Sequence, residues 1–464
     1  MRTTLSVTAG ILAATFLAAC SGGGSTTTVT PAVAATPGTT TTGTGTGGTT
    51  PPPATPPPAT PAPVAQPPVA IANARTENPR QSDALADSIG VDVHLHYTGT
   101  AYADSFPAVQ TLLVDSGIRH IRDGVIDTTW QPFYDHLNAL GRAGVHADLI
   151  TSVNQSTALL ASYPSRVSDA IESFEGPNEY DRSGDPNWSA TLAAFQRNLW
   201  SAFNGRYPVI GPSLTSQSAW GAVGDLSGSL DYGNMHDYFA ARNPGTSGWG
   251  GTDGFGTYAT IGYNMAVAAQ ASKAKPIYST ETGYGDVGQY AVPAAVKARY
   301  TLRTLLEQFN AGVRRTYLYE FLDEGNDGFG TYGLVTSALA PKPAYTALKT
   351  FIAHLSDKGP AFTAAPLTYE LEAGTDVHHT LLQRRDGTYS VVLWLEVAGS
   401  NPDTAAPYAV TAQSVTLSFP YAPKTSRAAT IGDDGNATPL TLGGAGTTIT
   451  LPVSDRVTIL DLHF

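Results

Sequence analysis

The sequence predicts an α/β chain built as a (β/α)8 barrel with a C-terminal all-β sandwich, preceded by a segment outside the fold. Three observations predict this. Short apolar strands alternate with helix-like stretches from Ile89 onward, eight times over about 260 residues, which is the usual size of such a barrel. The helical signal disappears after Gly359, and β-branched or alternating runs separated by turn residues take its place. Residues 21–70 carry no charged side chain and consist almost wholly of Ser, Thr, Gly, Ala, Val and Pro.

The first twenty residues read as a secretory signal. Arg2 supplies the positive start and Ile11–Ala19 a short apolar core, too short to span a bilayer as a permanent helix. The run Leu17-Ala18-Ala19-Cys20 resembles the lipobox of bacterial lipoproteins, which implies cleavage before Cys20 and its lipidation. Cys20 is the only cysteine among 464 residues, so a mature chain acylated there has no disulfide, thiolate nucleophile or Cys-ligated metal. Ser21 after the cysteine points to the outer membrane, on its periplasmic or surface face. The stretch 21–70 buries too little apolar surface to offset its ordering entropy. It reads as a tether, flexible in its Gly/Thr half and stiffer from Pro51 to Pro68.

Residues 71–358 are assigned to the barrel. Its strands are placed at Ile89–His96, Ile118–Gly124, His146–Ser152, Ala170–Asn178, Tyr207–Pro212, Asn234–Tyr238, Pro276–Glu281 and Arg315–Phe321. Helices are placed at Phe106–Ser116, Trp130–Ala143, Thr191–Phe203 and Ala294–Phe309, and Lys342–Leu355 closes the series. Residues 359–464 form the sandwich, with strands at Thr388–Leu395, Val410–Phe419, Thr447–Val453 and Arg456–Leu462. Part of Ile71–Ala84 is a candidate extra strand of that module.

Active sites of this fold lie at the C-terminal ends of the strands. Two carboxyls stand there, Glu179 after the fourth strand and Glu281 at the end of the seventh. A carboxyl pair across a scissile glycosidic bond is what glycoside hydrolysis needs, one to protonate the leaving oxygen and one to attack or activate water. A lone strand-end Glu is often only a solvated loop residue. The specific signal is the set of Asn178-Glu179, Glu281, Arg122 and His236-x-Tyr238 in strand order. Glu320, Asp323 and Glu324, after strand eight, are the rival carboxylates.

Asn-Glu ending strand four, with a Glu ending strand seven, resembles the clan of retaining (β/α)8 glycosidases often called clan A. Phe174-Glu175-Gly176-Pro177-Asn178-Glu179 is most similar to the family 39 group, whose pattern reads Phe-Glu-x-Trp-Asn-Glu-Pro and whose barrel is paired with a β-sandwich. Pro177 stands where that pattern has Trp, and Tyr180 where it has Pro. The resemblance spans residues 85–464 and implies a glycosidase cleaving β-type bonds with retention. It makes Glu179 the acid/base, Glu281 the nucleophile and Asn178 a ligand of the sugar 2-hydroxyl. It further implies that Arg122 and Tyr238 hold the nucleophile and that His236 sits by the acid. Glu175 is expected to form a buried ion pair. In this scheme the negative neighbour raises the pKa of Glu179.

His94 and His96 share one face of the first strand, and one of them, His96, is a candidate sugar contact; no third ligand at metal spacing follows. Trp249, in the Gly-rich stretch 246–256, and Tyr319, at the end of strand eight, are candidate stacking platforms. Trp130, Trp188, Trp220, Tyr284 and Phe321 are divided evenly between that role and core packing. No metal or cofactor is expected. The net charge of −12 excludes a nucleic-acid partner, which would need a basic face. The expected partner is a carbohydrate, since a chain tethered outside the cell fits a polysaccharide better than a small glycoside, and the expected state is a monomer. The rival readings are a surface lipoprotein that binds sugar without turnover and a transglycosylase using the same residues.

Overall fold

The computed structural model describes residues 68–246, 259–288, 290–325 and 331–464. Eight parallel strands form the barrel: Ile89–Asp92, His120–Gly124, His146–Ile150, Ile171–Glu175, Val209–Ile210, Gly233–His236, Ile277–Thr282 and Arg315–Leu318. Counted in chain order they pair as 5-4-3-2-1-8-7-6. A parallel bridge from Ile210 to Tyr232 joins strand five to the approach of strand six. Gly211 N–H donates to Tyr232 O at 2.8 Å there, which nearly closes the ring.

All eight sequence-predicted strands are present, most of them shorter. The first stops at Asp92, so His94 and His96 lie on the loop beyond it rather than on a strand face. Helix Phe106–Ser116 has Pro107 in its first turn and ends at Gly117, whose φ of 80° terminates it. Helix Gln131–Arg142 turns Phe133, Tyr134, Leu137 and Leu140 inward, the spacing of one helical face. Among the described residues no helix is long and apolar enough to cross a membrane.

The C-terminal module is a sandwich of a four-stranded and a six-stranded sheet. Leu367–Glu372, Val377–Gln383, Thr425–Ile431 and Ala437–Leu440 add to the strands expected from sequence. Arg75–Glu77 pairs antiparallel with Leu367–Glu372, and Arg80–Gln81 pairs parallel with Val377–Gln383. Residues 75–81 therefore belong to the sandwich sheets, and the chain enters the barrel only at helix Ser82–Asp87.

Strand Tyr389–Leu395 is buried along its whole length because both its faces are covered. Val392 and Trp394 join the barrel core, while Val391, Leu393 and Leu395 join the sandwich core. The barrel side is helix Ala294–Ala311, buried from Val296 to Phe309 and carrying charged residues that find partners. Arg303 donates to both oxygens of Glu396, at 2.6 and 2.8 Å, and Glu396 also accepts from Asn243 Nδ2 and Gly245 N–H. The sandwich thus fixes the loop that follows strand six.

Candidate active site

The site is built around Arg122, in the middle of strand two and 3% exposed. Its Nε and Nη2 donate to the two oxygens of Glu175, each at 2.8 Å, which is the expected buried ion pair. Nη1 donates to Glu281 Oε1 at 2.7 Å and Nη2 to Asn178 Oδ1 at 2.8 Å. One guanidinium therefore ties together strands two, four and seven. Asp92 and Asp148 lie in the same interior, where burial and neighbouring carboxylates push both well above the usual range despite the pull of Arg122.

Glu281 has a second anchor, since Tyr238 Oη donates to its Oε2 at 3.1 Å. Gly283 lets the chain leave strand seven, because a Cβ there would lie 2.1 Å from Tyr319 O. Asn178 accepts a second bond from Ser213 Oγ at 3.0 Å, so its oxygen is engaged and its amide nitrogen is the group left to donate.

Glu179 adopts φ 45°, in the left-handed region that non-glycine residues seldom visit and that clusters at functional sites. Its N–H holds the turn by donating to Ser213 O and Oγ, at 3.1 and 3.2 Å. Asp181 pins the same turn by accepting from the N–H groups of Thr215 and Ser216. His236 Nδ1 lies 2.9 Å from Glu179 Oε1 and 3.5 Å from Glu281 Oε2. One oxygen of each glutamate lies within 4.8 Å of the other.

The protonation of Glu179 differs from expectation. Burial raises its pKa, but the hydrogen bond and charge of His236 outweigh burial and hold it below the usual value. The partner moves the other way. Burial depresses His236, yet the charge of Glu281 and the bond to Glu179 leave it raised. Between the lowered Glu179 and the raised His236 the pair holds one proton, resting on the imidazole.

Tyr319 stands at the mouth with its ring 5.9 Å from that of Tyr332, which in turn lies 6.0 Å from Tyr238. Tyr332 had no motif to mark it. Lys297 holds its backbone, donating to the carbonyls of Tyr332 and Gly333 at 3.0 and 2.9 Å. Trp220, Tyr284 and Phe321 are buried in the core, and Trp130 and Trp188 pack against it. Trp249 and Cys20 lie outside the described residues.

His96 packs edge-on to Tyr97 and Phe133, with Nδ1 3.5 Å from Asp123 Oδ1. His94 bonds Glu324, 230 residues away, and Glu320 lies beside them. Of the rival carboxylates, Asp323 pairs with Lys342 at 2.7 Å, and burial and acidic neighbours push Glu320 up to about 10. Three clusters of described residues could hold a metal ion: Glu179–His236–Glu281, His94–Glu320–Glu324 and Glu307–His378–Glu396.

Known structures share this architecture. A family 39 glycoside hydrolase from Bacteroides cellulosilyticus matches with a TM-score of 0.60 at 15% identity, covering 82% of each chain. A family 51 α-L-arabinofuranosidase from Bifidobacterium longum matches at 0.52 and 13% identity, over 85% of this chain and 98% of its own. The catalytic domain of the family 30 xylanase C from Talaromyces cellulolyticus matches at 0.51 and 12%, over 81% and 96%. At these identities the likeness establishes the fold, a (β/α)8 barrel with a β domain. No family model matches the sequence, and no curated protein does.

Proposed function

We propose that the protein is a retaining glycoside hydrolase. The observation that carries this is the approach of Glu179, in the turn after strand four, and Glu281, on strand seven, within 4.8 Å at their nearest oxygens. Retaining pairs stand about 5–5.5 Å apart and inverting pairs about 6.5–9.5 Å, which leaves room for a water between the latter.

Glu281, gripped by Arg122 and Tyr238, attacks the anomeric carbon. Glu179 delivers the proton shared with His236 to the leaving oxygen. Glu179 then takes a proton from water, which releases the sugar with its original configuration. Asn178 Nδ2 donates to a sugar hydroxyl, and Tyr319 and Tyr332 offer ring faces beside the nucleophile.

The substrate class follows from the likeness to family 39 and from the tether: a β-linked poly- or oligosaccharide met outside the cytoplasm. Leu17-Ala18-Ala19-Cys20 supports a lipid anchor at the cell envelope; palmitate labelling that Cys20→Ala abolishes would test it. The activity test is a panel of aryl glycosides and polysaccharides offered to wild type, Glu179→Gln and Glu281→Gln. Cleavage lost in both variants supports the reading. Absence of any cleavage dependent on these residues returns the chain to the class of sugar-binding surface proteins.

A further inference from the structure

Among the described residues two buried carboxylates at the ends of barrel strands are unused by the proposed chemistry and lack hydrogen bonds on both oxygens, Asp92 and Glu320; Asp92 has the Arg122 guanidinium 3.6 Å away, and Glu320 has no such cation. Glu320 is 1% exposed, and neither of its oxygens has a hydrogen-bond partner among the described residues. A buried carboxylate without partners costs several kcal/mol, so such groups are normally paired or bound to a metal. Among the described residues its strongest charged neighbours are the acidic Glu324, Asp323 and Asp92, opposed by Lys297. Lys297 is already engaged by three carbonyls and by Asp286 at 3.2 Å.

The orphaned carboxylate points at two other donors. His94 Nδ1 lies 3.8 Å from Glu320 Oε2 and bonds Glu324 Oε1. One atom from each of the three residues falls within a 4.8 Å circle. Tyr97 stacks on the His94 ring at 4.7 Å and 10°, fixing the direction of Nδ1. A cavity of about 190 Å³, lined by Gly99, Thr100, Tyr102, Leu322 and Ser337, adjoins Glu324 and provides an approach. In the other two His–carboxylate clusters a guanidinium, Arg122 or Arg303, already supplies the positive charge. Here none does.

We propose that His94, Glu320 and Glu324 bind a single divalent cation of the Mn2+ or Zn2+ type. One imidazole nitrogen with two carboxylates suits such borderline ions, whereas Ca2+ takes oxygen ligands alone. Metal–ligand bonds of about 2.0–2.2 Å need Glu320 drawn in toward His94, while the hydrogen-bonded His94 Nδ1 and Glu324 Oε1 part to admit the ion in place of the proton between them. Three protein ligands leave an open position, and it lies on the partly exposed side of His94 and Glu324, 21% and 17% accessible. The site stands whether or not the hydrolase reading does, since it shares no ligand with Glu179 or Glu281.

The test is calorimetric titration of the chelator-dialysed full chain with Mn2+ and with Zn2+. One ion per chain is expected, bound at least tenfold more weakly by Glu320→Gln and by Glu324→Gln. Affinity in Glu179→Gln and Glu307→Gln should match wild type within twofold. Should Glu320→Gln fail to fold, Glu324→Gln and His94→Gln carry the comparison. No binding up to millimolar metal overturns the assignment. So does binding that survives in Glu320→Gln or Glu324→Gln but is lost in Glu179→Gln.

Discussion

Glu179 and Glu281 face each other across a gap of at most 4.8 Å, with His236 Nδ1 in reach of both. The gap lies below the separation of about 6.5–9.5 Å at which inverting enzymes place an attacking water. It suits direct attack by one carboxylate while the other gives up a proton. The grips on the two glutamates differ in kind: a permanent cation and a phenol hold Glu281, and a titratable imidazole holds Glu179.

Tyr238→Phe removes one donor from Glu281 and should leave the fold intact. A hydrogen bond to a charged group contributes about 1.5–3 kcal/mol, so kcat/KM should drop roughly 10- to 150-fold. Steady-state kinetics on the best glycoside checks this, and an unchanged kcat/KM would remove Tyr238 from the account.

His236→Asn should move the alkaline limb of the pH–rate profile toward acid. In the wild type the transferable proton is lost only as pH rises through the His236 pKa, which is raised from the ordinary imidazole value. Without the imidazole the proton must be held by Glu179 alone, at a carboxylate's value. A kcat/KM profile whose alkaline limb stays in place contradicts the shared-proton pair.

Arg122→Ala strands Glu175, which is fully buried and has lost its bidentate partner. Breaking a buried pair from one side costs about 3–5 kcal/mol, so the variant should unfold at markedly lower denaturant. Replacing Glu175 as well by an uncharged residue should recover part of the loss in a double-mutant cycle. Additive losses would show that the pair is not what binds strands two and four.

Lys297→Met should loosen the segment that carries Tyr332. It leaves the carbonyls of Thr331, Tyr332 and Gly333 without their shared donor, at a cost of at least about 2 kcal/mol. Thermal unfolding should fall and KM rise more than kcat falls. An unaltered KM would mean that Tyr332 does not meet the substrate.

The barrel was legible because each strand is a short apolar run ended by turn residues, and helix ends carry their own signals, as Gly117 does after Ser116. Strands with weaker patterns, such as Thr425–Ile431 and Ala437–Leu440, were missed because the sheet recruits them by pairing rather than by composition. At the site, Asn178-Glu179 and Arg122 could be read from the chain. Ser213, Tyr332, Lys297 and the Glu324 partner of His94 could not, since each acts through a contact far away in sequence. The direction of the Glu179 pKa was misjudged for the same reason. Its negative neighbour is visible in the sequence, whereas the His236 bond of 2.9 Å that outweighs it arises only from the folding of strand six against the turn after strand four.

The most direct test of the central claim is the configuration of the first sugar released. Proton NMR, run on the wild-type reaction before mutarotation sets in, reports which anomer appears. The Glu179–Glu281 geometry predicts the anomer with the configuration of the substrate bond. Initial accumulation of the opposite anomer would contradict attack by Glu281.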